Sequence, residues 1–300
     1  MKITGRAGEM DRSELLKQVR KVEIKTRGLT RQIFSGEYQS AFKGRGISFS
    51  EVREYAPGDD VRTIDWNVSA RLGKPYIKIF QEERELEVIL LVDISRSSEF
   101  GAAGKQKRAY ATELAATIAF SAMQNNDKVG VIFFSDKIEK YLPPKKGRTY
   151  ALRIIRELLE IEPRSPGTNV SQALRFLTNA RKKRAICFAL SDFIAPDFTR
   201  ALKIAARKHD LIALNVFDKR EGELPKVGLI ELIDAETGRR ATLDSSSGAV
   251  RQAYSESWTA RSAALRRTFR SAGVDLIELP TDASFVGPLS AFFKYRERRK

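Results

Sequence analysis

The segment LVDISRSSEFG, residues 91–101, ends an apolar run at one carboxylate and three hydroxyls. Its Asp93, Ser95 and Ser97 occupy alternate positions along the chain. Ser and Asp are common N-cap residues, so the segment is compatible with a turn that leads from a strand into a helix. The same oxygen atoms are donors that a hard cation such as Mg²⁺ prefers. The spacing alone leaves both interpretations open.

Two later segments favour the metal interpretation. The Pro/Gly loop SPGTNV (165–170) leads into a helical pattern and displays Thr168, and LSDF (190–193) places Asp192 directly after an apolar run. Each segment also precedes a helix, so capping explains any one of them taken alone. Together they supply two carboxylates and three hydroxyls from three loops, which suits a hard cation. The predicted ligands of Mg²⁺ or Mn²⁺ are Asp93, Ser95, Ser97, Thr168 and Asp192.

The hydrophobic pattern predicts the elements that position these loops. From residue 86 onward, short apolar runs such as LEVILLVDI, KVGVIFFSD and DLIALNVFD alternate with segments of helical period. Continuous apolar strands between helices indicate a parallel sheet that is covered on both faces. We therefore predict a doubly wound α/β domain over residues 86–300, with a mostly parallel sheet flanked by helices. In such sheets, ligands bind outside the carboxyl ends of the strands, where these loops are expected.

Residues 1–85 are predicted to form a small appended subdomain. The segments GDD and ARLGKP are turn sequences, and YIKIF alternates as a half-buried strand does. Trp66 is expected to anchor a core. Asp59, Asp60 and Asp65 lie near several arginines in a Gly/Pro-marked turn, which favours structural ion pairs over catalysis.

Composition and charge restrict the class of protein. With 300 residues and 42% hydrophobic content, the chain can bury a full core. The net charge of +16 is spread along the chain, which argues against nucleic acid as the partner and is equally compatible with an acidic protein or an anionic membrane surface. The single cysteine, Cys187, fits a reducing compartment. No apolar run approaches the roughly 18 residues that span a bilayer. We expect a cytoplasmic protein that is not an integral membrane protein.

No catalytic arrangement is recognised in the sequence. The one histidine, His209, lies at a predicted helix end, where a capping role is expected. The segment GAAGKQ (101–106) lacks the spacing and the Ser/Thr of a phosphate loop, and GRGISF (44–49) lacks the third glycine of a dinucleotide motif. There is no Gly-x-Ser-x-Gly elbow and no Cys–His pair. We therefore predict that the chain is not an enzyme.

The five predicted ligands resemble the metal-ion-dependent adhesion site of von Willebrand factor A domains. A narrower resemblance covers much of the chain. YAPGDDVRTIDWNVSARLGKPYIKIFQEERE (55–85) resembles the signature of the bacterial domain-of-unknown-function family fifty-eight, and FDKREGELPKVGLIELIDAETG (217–238) is similar to a downstream segment of that family. Members are often encoded beside a MoxR-type AAA+ ATPase. Many also carry N-terminal membrane segments, for which this sequence shows no candidate.

Two functional classes are compatible with these observations. Three of the five predicted ligands are neutral hydroxyls, so they compensate the charge of a cation only in part, and a carboxylate from another protein can complete its shell. The favoured interpretation is a metal-dependent protein-interaction module. The resemblance implies an adaptor or co-chaperone whose partner is a MoxR-type AAA+ ATPase, or another protein that supplies a carboxylate. The alternative is a basic nucleic-acid-associated protein with a structural or vestigial metal site.

Overall fold

The computed structural model describes residues 12–34, 48–81, 86–99, 107–234 and 236–299. The segment GAAGKQ and the first four residues of GRGISF lie outside the described residues. The chain divides into two compact units. One comprises Met1–Ala41 and Glu87–Lys300, and the other comprises Phe42–Leu86.

Ten strands and eight helices are described. The strands are β1 (Ser48–Glu54), β2 (Tyr76–Gln81), β3 (Glu87–Asp93), β4 (Lys128–Phe134), β5 (Ile138–Lys145), β6 (Ile186–Ser191), β7 (Asp210–Phe217), β8 (Leu229–Ile233), β9 (Arg240–Asp244) and β10 (Asp275–Pro280). The helices are α1 (Arg12–Phe34), α2 (Trp66–Leu72), α3 (Lys107–Gln124), α4 (Arg148–Glu160), α5 (Val170–Ala180), α6 (Thr199–Lys208), α7 (Gly248–Ser271) and α8 (Val286–Arg298).

A six-stranded sheet forms the centre of the larger unit. Its strand order is β10-β7-β6-β3-β4-β5, and neighbouring strands are parallel except for β4 and β5. In the middle of the sheet, Leu90 of β3 is paired with Val131 of β4 and Phe188 of β6, and all three side chains are fully buried. Complete burial on both faces explains why these strands are continuous apolar runs. The predicted doubly wound, mostly parallel α/β fold is confirmed.

Helices cover the sheet. Apolar side chains of β3, β4 and β6 form one core cluster with α5 and α6, which contribute Leu174 and Leu202. Helix α3 packs on β3 and β4, and buries Leu114 and Ile118. Among the described residues, no helix combines the length and the apolarity that a bilayer-spanning helix needs.

Helix α1 belongs to the larger unit. Its Val19 packs with Phe120 of α3 and Ile155 of α4. Two ion pairs hold the same helix: Lys25 Nζ lies 2.5 Å from Glu113, and Arg148 lies 2.7 Å from Glu23. The extent of the predicted subdomain of residues 1–85 therefore differs from the structure, because the separate unit begins at Phe42 and α1 packs on the α/β unit.

Strand β5 is an element that the sequence pattern did not predict. Its Pro143 and Pro144 lie within an antiparallel strand, although proline usually marks a turn or the end of a strand. Proline is tolerated there because β5 is an edge strand of the sheet. The strand lies close to β4: a Cβ on Gly130 would lie 2.8 Å from the carbonyl oxygen of Leu142, so only glycine fits without a backbone shift.

In the smaller unit, β1 and β2 pair as antiparallel strands, and the connection between them contains α2. The expected ion pairing is found for Asp59, which lies 2.7 Å from Arg53. Asp60 caps a 3-10 turn, and Asp65 caps α2 through two backbone N–H groups. The expectation that Trp66 anchors a core is wrong, since its side chain is 71% exposed at the start of α2.

The titratable side chains of Cys187 and His209 are buried in the larger unit. Burial raises the pKa of the Cys187 thiol, in the middle of β6, well above its ordinary value. His209 follows α6, and its backbone N–H donates to Ala205 O as a C-cap. Its imidazole Nδ1 accepts the N–H of Ala185 at 3.3 Å. Burial, and then the nearby cation of Lys208, lowers the pKa of His209 to about 4. The histidine therefore caps the helix with its backbone, and its side chain is neutral at physiological pH.

Candidate functional site

The predicted site lies where the strand order of the sheet reverses. Strands β4 and β6 flank β3 on opposite sides, so the connections after β3 and after β6 diverge. Asp93 is the last residue of β3, and Ser191 is the last residue of β6. A crevice at such a switch point is the usual ligand site of an open α/β sheet.

The loop after β3 is organised around the carboxylate of Asp93. The N–H of Ser95 donates to Asp93 Oδ1 at 3.0 Å, and the hydroxyl of Ser191 donates to Oδ2 at 2.5 Å. The hydroxyl oxygens of Ser95 and Ser97 lie 3.1 Å apart. Asp93 and Ser95 are both buried. The loop thus places three of the predicted ligands side by side.

The loop that carries Thr168 is tied to the same edge of the sheet. The N–H of Arg96 donates to Pro166 O at 3.1 Å, and the N–H of Asn169 donates to Ser135 O at 2.8 Å. The side chain of Asn169 caps α5, so the loop ends in a fixed turn. Thr168 is buried, and its hydroxyl donates to Glu236 Oε1 at 2.6 Å. The hydroxyl of this predicted ligand is therefore already hydrogen-bonded to a carboxylate of the same chain.

Asp192 lies on a strained turn and is paired with a lysine. Phe193, which follows it, has a φ of 55°, which bulky side chains seldom adopt. The N–H of Ile194 donates to Asp192 Oδ1 at 3.1 Å, and Lys107 Nζ donates to Oδ2 at 2.7 Å. Lys107 Nζ also lies 2.5 Å from Glu221. Because each carboxylate oxygen has two lone pairs, these contacts leave Asp192 able to accept a further donor.

Three of the predicted ligands line one small cavity. Asp93, Ser97 and Asp192 surround a space of about 20 Å³, together with Lys107 and Ser191. That volume is close to what one water molecule requires. Ser95 contacts Ser97 beside this cavity. Thr168 does not line it, and its loop is joined to the loop after β3 by the hydrogen bond from Arg96 N–H to Pro166 O.

The charges around this cavity are unequal. Burial, and then the neighbouring Asp192, raises the pKa of Asp93 to about 7. Burial opposes the charge of Lys107, but Asp192 and Glu221 outweigh it and hold the pKa of the ammonium above its ordinary value. Three carboxylates and one ammonium leave an excess of two negative charges when all are ionised.

The donor set fits a hard divalent cation. All of the predicted ligands are oxygens, which are the donors that a hard divalent cation prefers. Adjacent oxygens in an octahedral Mg²⁺ shell are about 3 Å apart, since each lies about 2.1 Å from the ion. The oxygens of Ser95 and Ser97 have that separation. Within the described part of the chain, no group of three or more His, Cys, Asp or Glu side chains can hold a metal. A cation would therefore need the hydroxyls, and Mg²⁺ or Mn²⁺ at Asp93, Ser95, Ser97, Thr168 and Asp192 stays a prediction.

Four residues that the sequence did not single out complete this edge. They are Lys107, Ser191, Glu221 and Glu236. Ser191 carries a weak signal, because it stands beside Asp192 at the end of an apolar run. The three charged residues carry none, since nothing in their local sequence distinguishes them from the others among 54 basic and 38 acidic residues.

The sheet order and the crevice at its switch point define a doubly wound α/β domain whose sheet is mostly parallel. The chain belongs to the DUF58 family, described as a protein of unknown function, and matches it over residues 51–264. An uncharacterized protein of Mycobacterium tuberculosis (strain ATCC 25618 / H37Rv) is 30% identical over 296 residues, which cover 97% of this chain and 92% of that protein. The predicted family is confirmed.

The description of a further relative states where its gene lies. A protein of Paracoccus denitrificans, described as an uncharacterized protein in the moxR 3′ region, is 37% identical over 101 residues. The match covers 33% of this chain and 94% of that protein.

Among solved structures, the chain is similar to the conserved hypothetical protein BatB of Bacteroides thetaiotaomicron, with a TM-score of 0.49 and 16% identity over 72% of this chain and all of that chain. It is also similar to the VWA domain of SpRpn10, with a TM-score of 0.39 and 9% identity over 71% of this chain and 95% of that domain.

Proposed function

We propose that this chain is a metal-dependent protein-interaction module that binds a MoxR-type AAA+ ATPase. The observation that supports this most is the crevice at the switch point of the sheet. There, Asp93, Ser97 and Asp192 line one cavity of about 20 Å³, and the hydroxyls of Ser95 and Ser97 lie 3.1 Å apart. This arrangement suits a small hard cation held by protein oxygens and water.

The chemistry of the donors supports a binding role for the cation. When bound, a divalent cation supplies a positive charge and a coordination position that a carboxylate can take. Three of the proposed ligands are neutral hydroxyls, so Asp93 and Asp192 supply the two anionic oxygens among them. The cation can therefore still bind a further carboxylate. A partner that presents a Glu or Asp side chain is therefore the ligand class that this crevice fits.

The choice of an ATPase partner rests on the relative from Paracoccus denitrificans, whose description places it in the moxR 3′ region. Neighbouring bacterial genes often encode proteins that act together. We propose that the chain acts as an adaptor or co-chaperone of such an ATPase. The basic surface, with a net charge of +16, would speed the approach of an acidic partner.

We also propose that the chain has no catalytic turnover of its own. The one histidine is buried at the end of α6, and the lone cysteine is buried in β6, where burial raises the pKa of its thiol and so disfavours the nucleophilic thiolate. Purified protein should show no ATPase, protease or nuclease activity above a mock preparation. A reproducible activity that Asp192→Ala abolishes would instead indicate metal-assisted catalysis.

The partner interaction is tested by a pull-down of the MoxR-type ATPase encoded in the same genome. Wild type and Asp93→Ala are compared in millimolar Mg²⁺ and in EDTA. Glu162→Ala, which removes an exposed carboxylate, is the matched control. We expect binding only by wild type and the control, and only with Mg²⁺. Equal retention of the ATPase by all variants in EDTA would show that the interaction does not pass through this crevice.

A further inference from the structure

Glu236 contacts the crevice from a distant part of the chain. Its Oε1 lies 2.6 Å from the hydroxyl of Thr168, and its Oε2 accepts the N–H of the same residue at 3.3 Å. The two residues are 68 positions apart. Both carboxylate oxygens are thus directed at a single residue of the loop that forms one side of the crevice.

The hairpin of β8 and β9 presents this carboxylate. Asp234 Oδ1 accepts the N–H groups of Glu236 and Thr237 at 2.9 and 3.1 Å, which fixes the turn between the strands. Gly238, with a φ of 69°, supplies the left-handed residue that closes the turn, and its N–H donates to Asp234 O. The turn therefore holds Glu236 in place before any ligand binds.

The strands of this hairpin are not part of the core. No residue of β8 or β9 is buried, and Leu229 and Ile233 are 76% and 57% exposed on one face of β8. Structure with few buried apolar contacts opens at low free energy. The hairpin can therefore move without unfolding the sheet that carries the crevice.

The separation of the two oxygens also suits a shared cation. Adjacent ligands of an octahedral Mg²⁺ shell lie about 3 Å apart. Glu236 Oε1 and Thr168 Oγ1, at 2.6 Å, are near that distance. A carboxylate so placed next to a proposed ligand is where an approaching Glu or Asp of another protein would also have to sit.

We infer that Glu236 is an internal carboxylate beside the proposed metal site and that it strengthens cation binding. A partner carboxylate must then displace Glu236 together with the hairpin that carries it. This inference rests on the proposed function. It adds a residue and a hairpin to the interaction surface, and it specifies the partner as one that brings its own acidic side chain to Thr168.

The first test uses Mg²⁺ alone as the probe, measured by isothermal titration calorimetry. Glu236→Gln keeps the shape of the side chain and removes its charge. We expect it to weaken Mg²⁺ binding about tenfold, as is usual for groups that support metal ligands. Glu231→Gln is the matched control, because it makes the same change on the same hairpin at an exposed residue. We expect the control to bind Mg²⁺ as wild type does.

The second test measures binding of the MoxR-type ATPase at Mg²⁺ concentrations that saturate both proteins. With the internal competitor removed, Glu236→Gln should bind the ATPase about tenfold tighter than wild type or Glu231→Gln, as expected for loss of a hydrogen bond to a charged group. Weaker binding by Glu236→Gln would overturn the competitor role, since it would place Glu236 among the groups that hold the partner.

Asp93→Ala separates the two ideas. If wild type and Asp93→Ala bind Mg²⁺ and the ATPase equally, or neither binds, the proposed function fails. If Asp93→Ala loses binding while Glu236→Gln matches wild type in both tests, the proposed function stands and the role of Glu236 fails.

Discussion

Replacing Lys107 by methionine should destabilise the protein markedly. The side chain of Lys107 is 4% exposed, and its ammonium lies 2.7 Å from Asp192 and 2.5 Å from Glu221. Removing one partner of a buried ion pair costs about 3–5 kcal/mol, because the remaining charge is left uncompensated. Glu221 is 12% exposed and can turn towards water, so we expect a loss near the lower limit, about 3 kcal/mol.

Urea denaturation in EDTA measures this loss. Lys203→Met, at an exposed position of α6, is the matched control and should change the free energy of unfolding by less than about 0.5 kcal/mol. Mg²⁺ should stabilise Lys107→Met more than it stabilises wild type, because a cation in the crevice would replace part of the missing charge.

A double-mutant cycle tests the cause. If the loss comes from an uncompensated Asp192, then Lys107→Met combined with Asp192→Asn should be less destabilised than the sum of the single variants, by about 1 kcal/mol or more. Additive effects, or a loss below about 1 kcal/mol for Lys107→Met alone, would refute the electrostatic account of this lysine.

Three more predictions concern the metal, pH and packing. Mg²⁺ at about a hundredfold excess over its dissociation constant should raise the free energy of unfolding of wild type by about 2.7 kcal/mol, and a thermal melt should show no such shift for Asp93→Ala. His209, with a pKa of about 4 when folded and about 6.5 when unfolded, contributes stability that is fully present above pH 6.5 and is lost as pH falls to 4. The contribution of His209 is about 3 kcal/mol, and urea denaturation of wild type and His209→Asn across that pH range measures it. NMR titration of the single histidine gives its pKa directly, and a value near 6.5 would contradict this prediction. Gly130→Ala should cost about 1–3 kcal/mol in urea denaturation, since its new methyl group would meet the backbone of Leu142, and an unchanged midpoint would show that β5 can shift.

The elements that the sequence predicted are those with the strongest burial. Strands β3, β4 and β6 are buried on both faces, so their sequences are continuous apolar runs that stand out between helices. Strand β5 was missed because its exposure is mixed and it contains Pro143 and Pro144. The hairpin of β8 and β9 was missed because its strands bury no residue, so hydrophobic periodicity carries little signal there.

The candidate site was predictable only in part, for a different reason. Asp93 and Asp192 follow apolar strands, and parallel strands bring their carboxyl ends to one edge, so their proximity follows from the fold. Lys107 and Glu236 reach the same edge from a helix start and a hairpin turn. Nothing in the local sequence distinguishes those two charges from solvated ones, because their role depends on contacts across 85 and 68 positions of the chain.

The buried thiol of Cys187 makes the protein convenient for labelling. It is the one cysteine in the sequence, it lies fully buried in the central strand β6, and burial raises its pKa far above neutrality. The thiolate is the reactive form, so maleimides should not react with Cys187 while the sheet is intact. A cysteine introduced at Glu231 can therefore carry a fluorophore on the hairpin in the otherwise native sequence. Slow reaction of the native thiol would in turn report how often the centre of the sheet opens.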